Sequence, residues 1–305
     1  MGTVLAAAEE ARSSRAGKRS EPTISSSAFA ELAERLRANR GLDLEGYKNR
    51  YARRRIAVRL RARGCADLEG YLQVLEREPA EWNLLLQALA INVSSFFRNP
   101  ETFAVIRARI LPEVIQWRKR QGQPRLQFWS AGCAEGEEAY SLAILLREHF
   151  AGALGTMAVS ILATDLDAES LALARAGSYP EPRLAELPAG LREKYFRPQG
   201  GQWSLRRRVA SLVEFSRHDL LRQPGPADLD LIVCRNVLIY LSRAEQERIL
   251  ARFFQSLRPE GFLVLGKTET LFGRLRRAML PVVPRERVYQ KPAAAGGRAR
   301  EEVPG

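Results

Sequence analysis

The pattern of hydrophobic and polar positions divides the chain into two parts near residue 90. In the first part, hydrophobic residues recur at helical spacing through several consecutive segments. From Arg125 onward, short apolar runs alternate with helical patterns, which is typical of a parallel sheet with crossover helices. The pattern therefore predicts a helical domain over 23–90, a linker helix over 91–120 and an α/β domain over 121–292.

Within the α/β domain, the apolar runs predict five strands: Leu126–Ala131, Val159–Thr164, Leu212–Phe215, Leu229–Cys234 and Phe262–Leu265. The intervening helical patterns predict three helices, at 137–149, 168–176 and 243–257. A final antiparallel hairpin is expected at Met279–Val283 and Arg287–Lys291.

Three other segments depart from this alternation. Prolines interrupt it over 178–211, where Gln202–Val209 alternates like a short exposed strand, and we expect an inserted β-subdomain there. Residues 1–22 and 293–305 show no apolar periodicity and are expected to be disordered tails.

The stretch 131–141 joins a strand, a glycine turn and a helix. Gly132 and Gly136 let a ligand approach the backbone, and the helix start leaves N–H groups free. The spacing is not that of a dinucleotide site, and Glu137 and Glu138 stand where a pyrophosphate needs bare amides. The turn therefore predicts a nucleoside without phosphates that carries positive charge, and S-adenosylmethionine meets both conditions. A purely structural glycine turn is the alternative.

Polar residues also follow two further predicted strands. Asp165 closes the second strand, where a carboxylate accepts ribose hydroxyls, and Asp167 is expected to cap the next helix. Arg235 and Asn236 follow a buried strand, and Tyr240 lies one helical turn beyond them. Because ligands of open α/β sheets bind at the carboxyl ends of the strands, these residues are site candidates. A surface turn with a core tyrosine is the alternative.

The charge of the chain indicates an acidic partner. Its 48 Lys and Arg against 35 Asp and Glu give a formal net charge of +13. Nucleic acid is the first partner that such a charge indicates, and a general preference for arginine is the alternative.

Histidine and cysteine usage limits the chemistry. Two histidines, His149 and His218, make a histidine base or a metal site hard to assemble, and no metal is expected. Cys65, Cys133 and Cys234 show no paired spacing, so neither a disulfide framework nor a zinc site is indicated. The chain shows neither a signal peptide nor an apolar run of about 20 residues, so we expect a cytoplasmic protein without direct membrane insertion.

Four motifs together resemble one family, the CheR-type chemotaxis receptor methyltransferases. They are N-V-S-S-F-F-R at 92–98, G-E-E-A-Y-S at 136–141, T-D-L-D at 164–167 and C-R-N-V-L-I-Y at 234–240. The resemblance extends from about Phe29 to Lys291. It implies a class I S-adenosylmethionine-dependent methyltransferase domain, Rossmann-like and with a small inserted β-subdomain, preceded by an all-helical N-terminal domain.

The resemblance also implies a set of cofactor contacts. By residue, these are Asn92, Ser94, Arg98, Glu138, Asp165, Asp219, Leu220, Arg235 and Asn236. Ser94 replaces the usual threonine and keeps the hydroxyl, and Asp219 stands where some members have asparagine. Lys267 departs from the family's usual G-H-S-E, so the role of the segment 266–269 is open.

The family methylates glutamate side chains on chemotaxis receptors and releases S-adenosylhomocysteine. Arg98 and Tyr240 are our candidates for orienting the acceptor carboxylate. An arginine-rich helix with Arg55, Arg59 and Arg61 is expected to dock on the acidic methylation helices of a receptor, with the enzyme as a monomer. A solvated helix face is the alternative for these arginines.

Two other functions remain to be compared with this one. A nucleic-acid methyltransferase would fit the charge, but it needs an N/D-P-P-Y-like loop where this chain has C-R-N-V. A non-catalytic module that binds S-adenosylmethionine is the other alternative, and the complete set of matching positions argues against it.

Overall fold

A computed structural model describes residues 21–40, 42–89 and 94–293 of the chain. The chain forms two compact units, which divide between Ala90 and Ile91. Residues 1–20 and 294–305, which make up most of the two expected tails, lie outside the described residues.

The first unit is helical over its described residues. Its α-helices are α1 Ser26–Arg40, α2 Asn49–Arg63, α3 Leu68–Arg77 and α4 Glu81–Leu89. The left-handed conformation of Gly64, with φ of 68°, ends α2, and the Asp67 side chain caps α3 by accepting the N–H of Gly70. Side chains at helical spacing form the core: Leu32, Leu36, Ile56, Leu60, Leu68, Tyr71 and Leu85.

The second unit contains the sheet and its flanking helices. Its α-helices are α5 Pro100–Val105, α6 Leu111–Arg120, α7 Glu137–His149, α8 Ala151–Leu154, α9 Ala168–Ala176, α10 Leu191–Tyr195, α11 Arg207–Ala210, α12 Arg243–Ser256 and α13 Gly273–Ala278. Short 3₁₀ turns lie at Leu44–Gly46 in the first unit and at Glu181–Leu184, Leu238–Tyr240 and Pro284–Glu286 in the second.

The strands of the second unit form two sheets. In chain order they are β1 Arg125–Ala131, β2 Ala158–Asp165, β3 Ser178–Tyr179, β4 Phe196–Gln199, β5 Gln202–Leu205, β6 Val213–Arg217, β7 Leu229–Cys234, β8 Leu257–Leu265, β9 Leu280–Val283 and β10 Val288–Gln290. The large sheet has the order β6-β2-β1-β7-β8-β10-β9, and the small sheet has the order β3-β5-β4. The first five strands of the large sheet are parallel, and β10 pairs antiparallel with both β8 and β9.

Most predicted elements are confirmed, and three are corrected. The strand β8 begins at Leu257 rather than at Phe262. The predicted linker helix begins at Pro100 rather than near residue 91, and one π-helical turn at Ile106–Ile110 lies inside it. The expected strand over Gln202–Val209 ends at Leu205, because 207–210 forms the short helix α11. Alternation of apolar and polar residues over eight positions was too weak a signal to exclude a helical turn.

The start of β7 carries a buried ion cluster. Asp230 has no exposed surface, and its carboxylate accepts the Nε–H of Arg118, the Nε–H of Arg258 and the backbone N–H of Gln127. Each acceptor oxygen therefore has a donor, as a buried carboxylate requires. The cluster joins α6, β1, β7 and β8 at the amino end of the parallel strands.

Candidate active site

The candidate active site is a cleft at the carboxyl ends of β1 and β7. The sheet order changes direction at β1, since β2 lies on one side of it and β7 on the other. Ligands of open α/β sheets bind in the crevice at such a position. The cleft is lined by Ser94, Ser95, Arg98, Gly132, Ala134, Glu138, Arg235, Asn236, Val237 and Tyr240.

The glycine turn after β1 forms one wall of this cleft. Gly132 has φ of +80°, and a Cβ on it would lie 2.4 Å from Cγ2 of Val237, so a larger residue does not fit. Gly136 has φ of +91° and begins α7. The backbone N–H of Ala134 donates to Oδ2 of Asp165 at 2.9 Å. These contacts fix the turn between the ends of β1, β2 and β7.

Asp165 and Asp167 have different roles at the end of β2. The Asp165 carboxylate accepts backbone N–H groups, including that of Asp167 at 3.0 Å. Burial raises the pKa of Asp165, and these N–H donors oppose that rise. Asp167 caps α9 by accepting the N–H of Glu169 at 3.1 Å, which confirms the predicted helix cap.

Glu138 and Arg235 form a loosely joined charge pair in the cleft. Oε1 of Glu138 accepts the Ser130 hydroxyl at 2.8 Å, whereas its Oε2 lies 3.4 Å from Nη1 of Arg235. Nη2 of Arg235 donates to the carbonyl of Arg98 at 2.7 Å and to the side chain of Asn99 at 2.6 Å. The buried Nε of Arg235 has no hydrogen-bond partner among the described residues. Burial raises the pKa of Glu138, while Arg235 and Ser130 lower it.

Arg183 ties the inserted subdomain to the glycine turn. It donates to the carbonyl of Ser94 at 3.1 Å, to Oε1 of Glu137 at 2.9 Å and to Oε2 of Glu135 at 2.6 Å. Glu137 has no exposed surface, and burial raises its pKa. The role of Arg183 could not be recognised from the sequence, because its partners lie far away in the chain and its segment has no periodic pattern.

The turn after β7 is held by the segment whose role the sequence left open. The Glu269 carboxylate accepts the backbone N–H groups of Asn236 and of the next two residues. Burial raises the pKa of Glu269, and these backbone donors lower it. Lys267 points elsewhere and forms ion pairs with Glu101 and Glu286, at 3.2 Å and 3.5 Å.

The structure brings together six of the predicted site residues: Ser94, Arg98, Glu138, Arg235, Asn236 and Tyr240. Asp165, Asp219 and Leu220 do not line this cleft, although Asp165 contacts its glycine turn. Asn92 lies outside the described residues. Ser95, Gly132, Ala134 and Val237 also line the cleft.

The arginine-rich helix α2 belongs to the helical unit. Some of its arginines contact α4, whereas others are exposed to solvent. Nε of Arg55 donates to the carbonyl of Ala88, and Arg59 makes a bidentate ion pair with the buried Glu81, at 2.9 Å for both contacts. Arg61, which was grouped with these two as a docking residue, does not share their face of the helix. Six residues beyond Arg55, it is rotated about 240° around the helix axis and is exposed.

Taken together, the sheet order, the glycine turn after β1 and the acidic end of β2 define a class I S-adenosylmethionine-dependent methyltransferase fold. The inserted three-stranded sheet and the separate helical unit are additions to that fold.

Comparison with known proteins identifies the family. The family model described as "CheR methyltransferase, SAM binding domain" matches residues 92–283, and "CheR methyltransferase, all-alpha domain" matches residues 27–90. The chemotaxis protein methyltransferase of Listeria monocytogenes is 32% identical over 231 residues, which cover 76% of this chain and 85% of that protein. The chemotaxis protein methyltransferase of Salmonella typhimurium is 34% identical over 267 residues, 84% of this chain and 88% of that protein.

The chain belongs to the CheR methyltransferase family. Its cofactor is S-adenosylmethionine, because the family model that matches residues 92–283 describes a SAM-binding domain. An uncharacterized 104.1 kDa protein of Rhodobacter capsulatus is 34% identical over 270 residues, which cover 88% of this chain but 28% of that longer protein. None of the described helices combines the length and the apolar character needed to cross a membrane.

Proposed function

We propose that this methyltransferase esterifies glutamate side chains on the acidic methylation helices of chemoreceptors, in the cytoplasm and as a monomer. The observation that carries the proposal is the lining of the cleft. It offers Arg98 and Tyr240 to an acceptor, and its described lining residues include no histidine. A carboxylate acceptor needs no base, whereas most other acceptors must lose a proton before or during methyl transfer.

The cleft suits S-adenosylmethionine, which supplies a methyl group on a positively charged sulfur when bound. Glu138 offers a carboxylate to its ammonium group. Arg98 and Arg235 offer donors to its carboxylate, and the buried Nε of Arg235 is a donor without a partner among the described residues. Asp165 would accept the ribose hydroxyls. The remaining proposed contacts are Asn92, Ser94, Asp219, Leu220 and Asn236.

The acceptor carboxylate is already ionised at pH 7, because glutamate has a pKa of about 4.3. Methyl transfer removes the negative charge of the carboxylate and the positive charge of the sulfonium. Alignment of the two groups and exclusion of water therefore increase the rate of this step. We propose that Arg98 and Tyr240 orient the carboxylate from the wall of the cleft. Arg98 must hold it weakly, because tight binding of the charged ground state would raise the barrier.

We propose a docking surface on the exposed face of α2. Arg50, Arg54 and Arg61 lie within about 40° of one another around the helix and about 80–160° away from the buried Ile56 and Leu60. Their charges are available to an acidic receptor helix through screened electrostatics. Arg55 and Arg59 instead contact α4 and are expected to stabilise the helical unit.

Transfer of labelled methyl groups from S-adenosylmethionine to cytoplasmic fragments of chemoreceptors tests the proposal. We expect incorporation that alkali releases as methanol, since a glutamate methyl ester is labile to base. Incorporation into DNA or RNA instead would favour a nucleic-acid methyltransferase. Binding of S-adenosylmethionine without transfer to any receptor fragment would favour a non-catalytic module.

A further inference from the structure

The backbone of the turn after β7 is held by one buried carboxylate from a different part of the chain. Oε1 of Glu269 accepts the N–H groups of Val237 at 3.0 Å and Leu238 at 2.8 Å. Its Oε2 accepts those of Asn236 at 3.1 Å and Gly266 at 2.6 Å. Only 4% of Glu269 is exposed. Four donors on one carboxylate satisfy all of its main acceptor directions.

The turn needs such support because its conformation is unfavourable by itself. Asn236 has φ of 61°, in the left-handed region that residues other than glycine seldom adopt. The next residue, Val237, packs so closely on Gly132 that a Cβ there would overlap its side chain. The turn is therefore fixed from two sides, by the glycine turn and by Glu269.

We propose that Glu269 is a positioning residue, which holds the turn 236–238 so that Asn236 and Tyr240 face the cleft. This inference rests on the proposed function for the role of those two side chains. Glu269 is not among the described residues that line the cleft, so it acts through the backbone rather than on a substrate. The segment 266–269 thereby has a role that does not depend on Lys267.

Glu269→Gln tests the hydrogen bonds with little change in size. The amide keeps one acceptor oxygen and replaces the other with an NH₂ group, which is a donor facing two backbone donors. Glu260→Gln is the matched control. Glu260 is a half-buried glutamate on β8 that accepts the Trp117 indole N–H at 2.6 Å, and an amide can still accept that bond.

The measurement is amide hydrogen exchange of the peptide 235–240, with exchange of β8 as the internal reference. We expect Glu269→Gln to speed exchange of the turn about tenfold or more and to leave β8 unchanged, because a local opening exposes only the turn. With receptor and cofactor saturating, kcat should fall about tenfold while KM for the receptor changes little. Glu260→Gln should match the wild type in each respect.

Gly266→Ala disturbs the same contact by steric overlap, without changing Glu269 itself. A Cβ on Gly266 would lie 2.7 Å from Oε2 of Glu269 and 2.9 Å from the N of Asn236, so it should release the same turn. Unchanged exchange of the turn in both variants would overturn the positioning role. So would exchange that rises equally across β7 and β8, since that indicates a general loss of stability. The hydrogen-exchange experiment needs no methyl acceptor. The positioning role of Glu269 can therefore be confirmed even if the enzyme does not methylate a receptor.

Discussion

The two ends of β7 use buried charge in opposite ways. At the amino end, the Asp230 carboxylate accepts the guanidinium Nε–H of Arg118 at 2.9 Å and further donors from Arg258 and Gln127. At the carboxyl end, the nearest approach between Glu138 and Arg235 is 3.4 Å.

This difference separates stability from function along one strand. At the amino end, both oxygens of Asp230 have close donors, although Nη2 of Arg258 has no partner among the described residues, and the main effect of the cluster is to join four elements of the fold. The Glu138–Arg235 pair at the carboxyl end keeps interaction capacity for a ligand with charges of its own, whereas Glu269 nearby has all its main acceptor directions satisfied. Four of the seven described non-glycine residues with positive φ, Phe97, Asn99, Ala134 and Asn236, belong to or adjoin the lining of the cleft, as is common for functional sites, whereas Asp228 contacts Arg118 at the other end.

The largest effect should follow from Asp230→Asn at the amino end. Loss of the carboxylate leaves Arg118 and Arg258 without their buried counter-charge, which should lower the free energy of unfolding by about 3–5 kcal/mol. Denaturant unfolding measures this change. Glu138→Gln is the equivalent change at the other end and should cost about 1 kcal/mol or less, because the pair there is looser. Equal losses for the two variants would contradict the comparison.

A smaller effect is expected when Asp165 is changed at the carboxyl end of β2. Asp165→Ala should weaken binding of S-adenosylmethionine by about 1–3 kcal/mol, because it removes a charged acceptor. It also removes the acceptor for the Ala134 N–H, so part of the loss comes from the glycine turn. Calorimetry on folded protein measures the affinity, and Asp219→Ala provides the comparison. An unchanged affinity in Asp165→Ala would remove this residue from the site.

The pH dependence of cofactor binding tests whether the Glu138 carboxylate binds the ammonium group of S-adenosylmethionine. Burial raises its pKa, so the ionised form that attracts an ammonium group is lost as pH falls, beginning above the ordinary glutamate value of about 4.3. Affinity should therefore decrease as pH falls toward the ordinary glutamate pKa of about 4.3, and the decrease should begin above that value. Glu138→Gln should be weaker at pH 7 by about tenfold and should have a shallower slope. Some slope should remain, because Asp165 also has a raised pKa. Identical slopes for the wild type and Glu138→Gln would exclude this role.

The smallest effect concerns the proposed docking surface. Reversing Arg50, Arg54 and Arg61 to glutamate should raise KM for the receptor about threefold to tenfold and leave cofactor affinity unchanged, since these charges are exposed and screened. Added salt should bring the wild type toward the variant. Reversal of three exposed arginines on α13, at positions 274, 276 and 277, makes the same charge change in the other unit. An equal rise in KM for both sets would indicate bulk charge and not a docking face.

Residues near the cleft show what the sequence could predict. β1, α7 and β7 were predicted to within one residue, because each is a continuous apolar or helical pattern with its own boundary signals. The beginning of β8 was missed by five residues. Its first half contains Arg258, Pro259 and Glu260, which do not resemble a buried strand.

Contacts between distant segments could not be predicted. Glu269 reaches a turn more than 30 residues earlier in the chain, and Arg183 reaches partners more than 40 residues earlier. Neither residue lies in a periodic pattern of the sequence. The role of each depends on the position that the tertiary structure gives it. The same limit applies to α2, where charge alone did not distinguish the arginines that pack on α4 from those that face outward.

Mass spectrometric mapping of the methylated acceptor tests the central claim most directly. After incubation of a chemoreceptor cytoplasmic fragment with the enzyme and S-adenosylmethionine, we expect single methyl groups on glutamate side chains of its acidic helices. Tyr240→Phe should give the same sites at a lower rate, and Glu260→Gln should match the wild type. A methyl group found on nitrogen, on sulfur or on nucleic acid, with the receptor glutamates unmodified, would contradict the account.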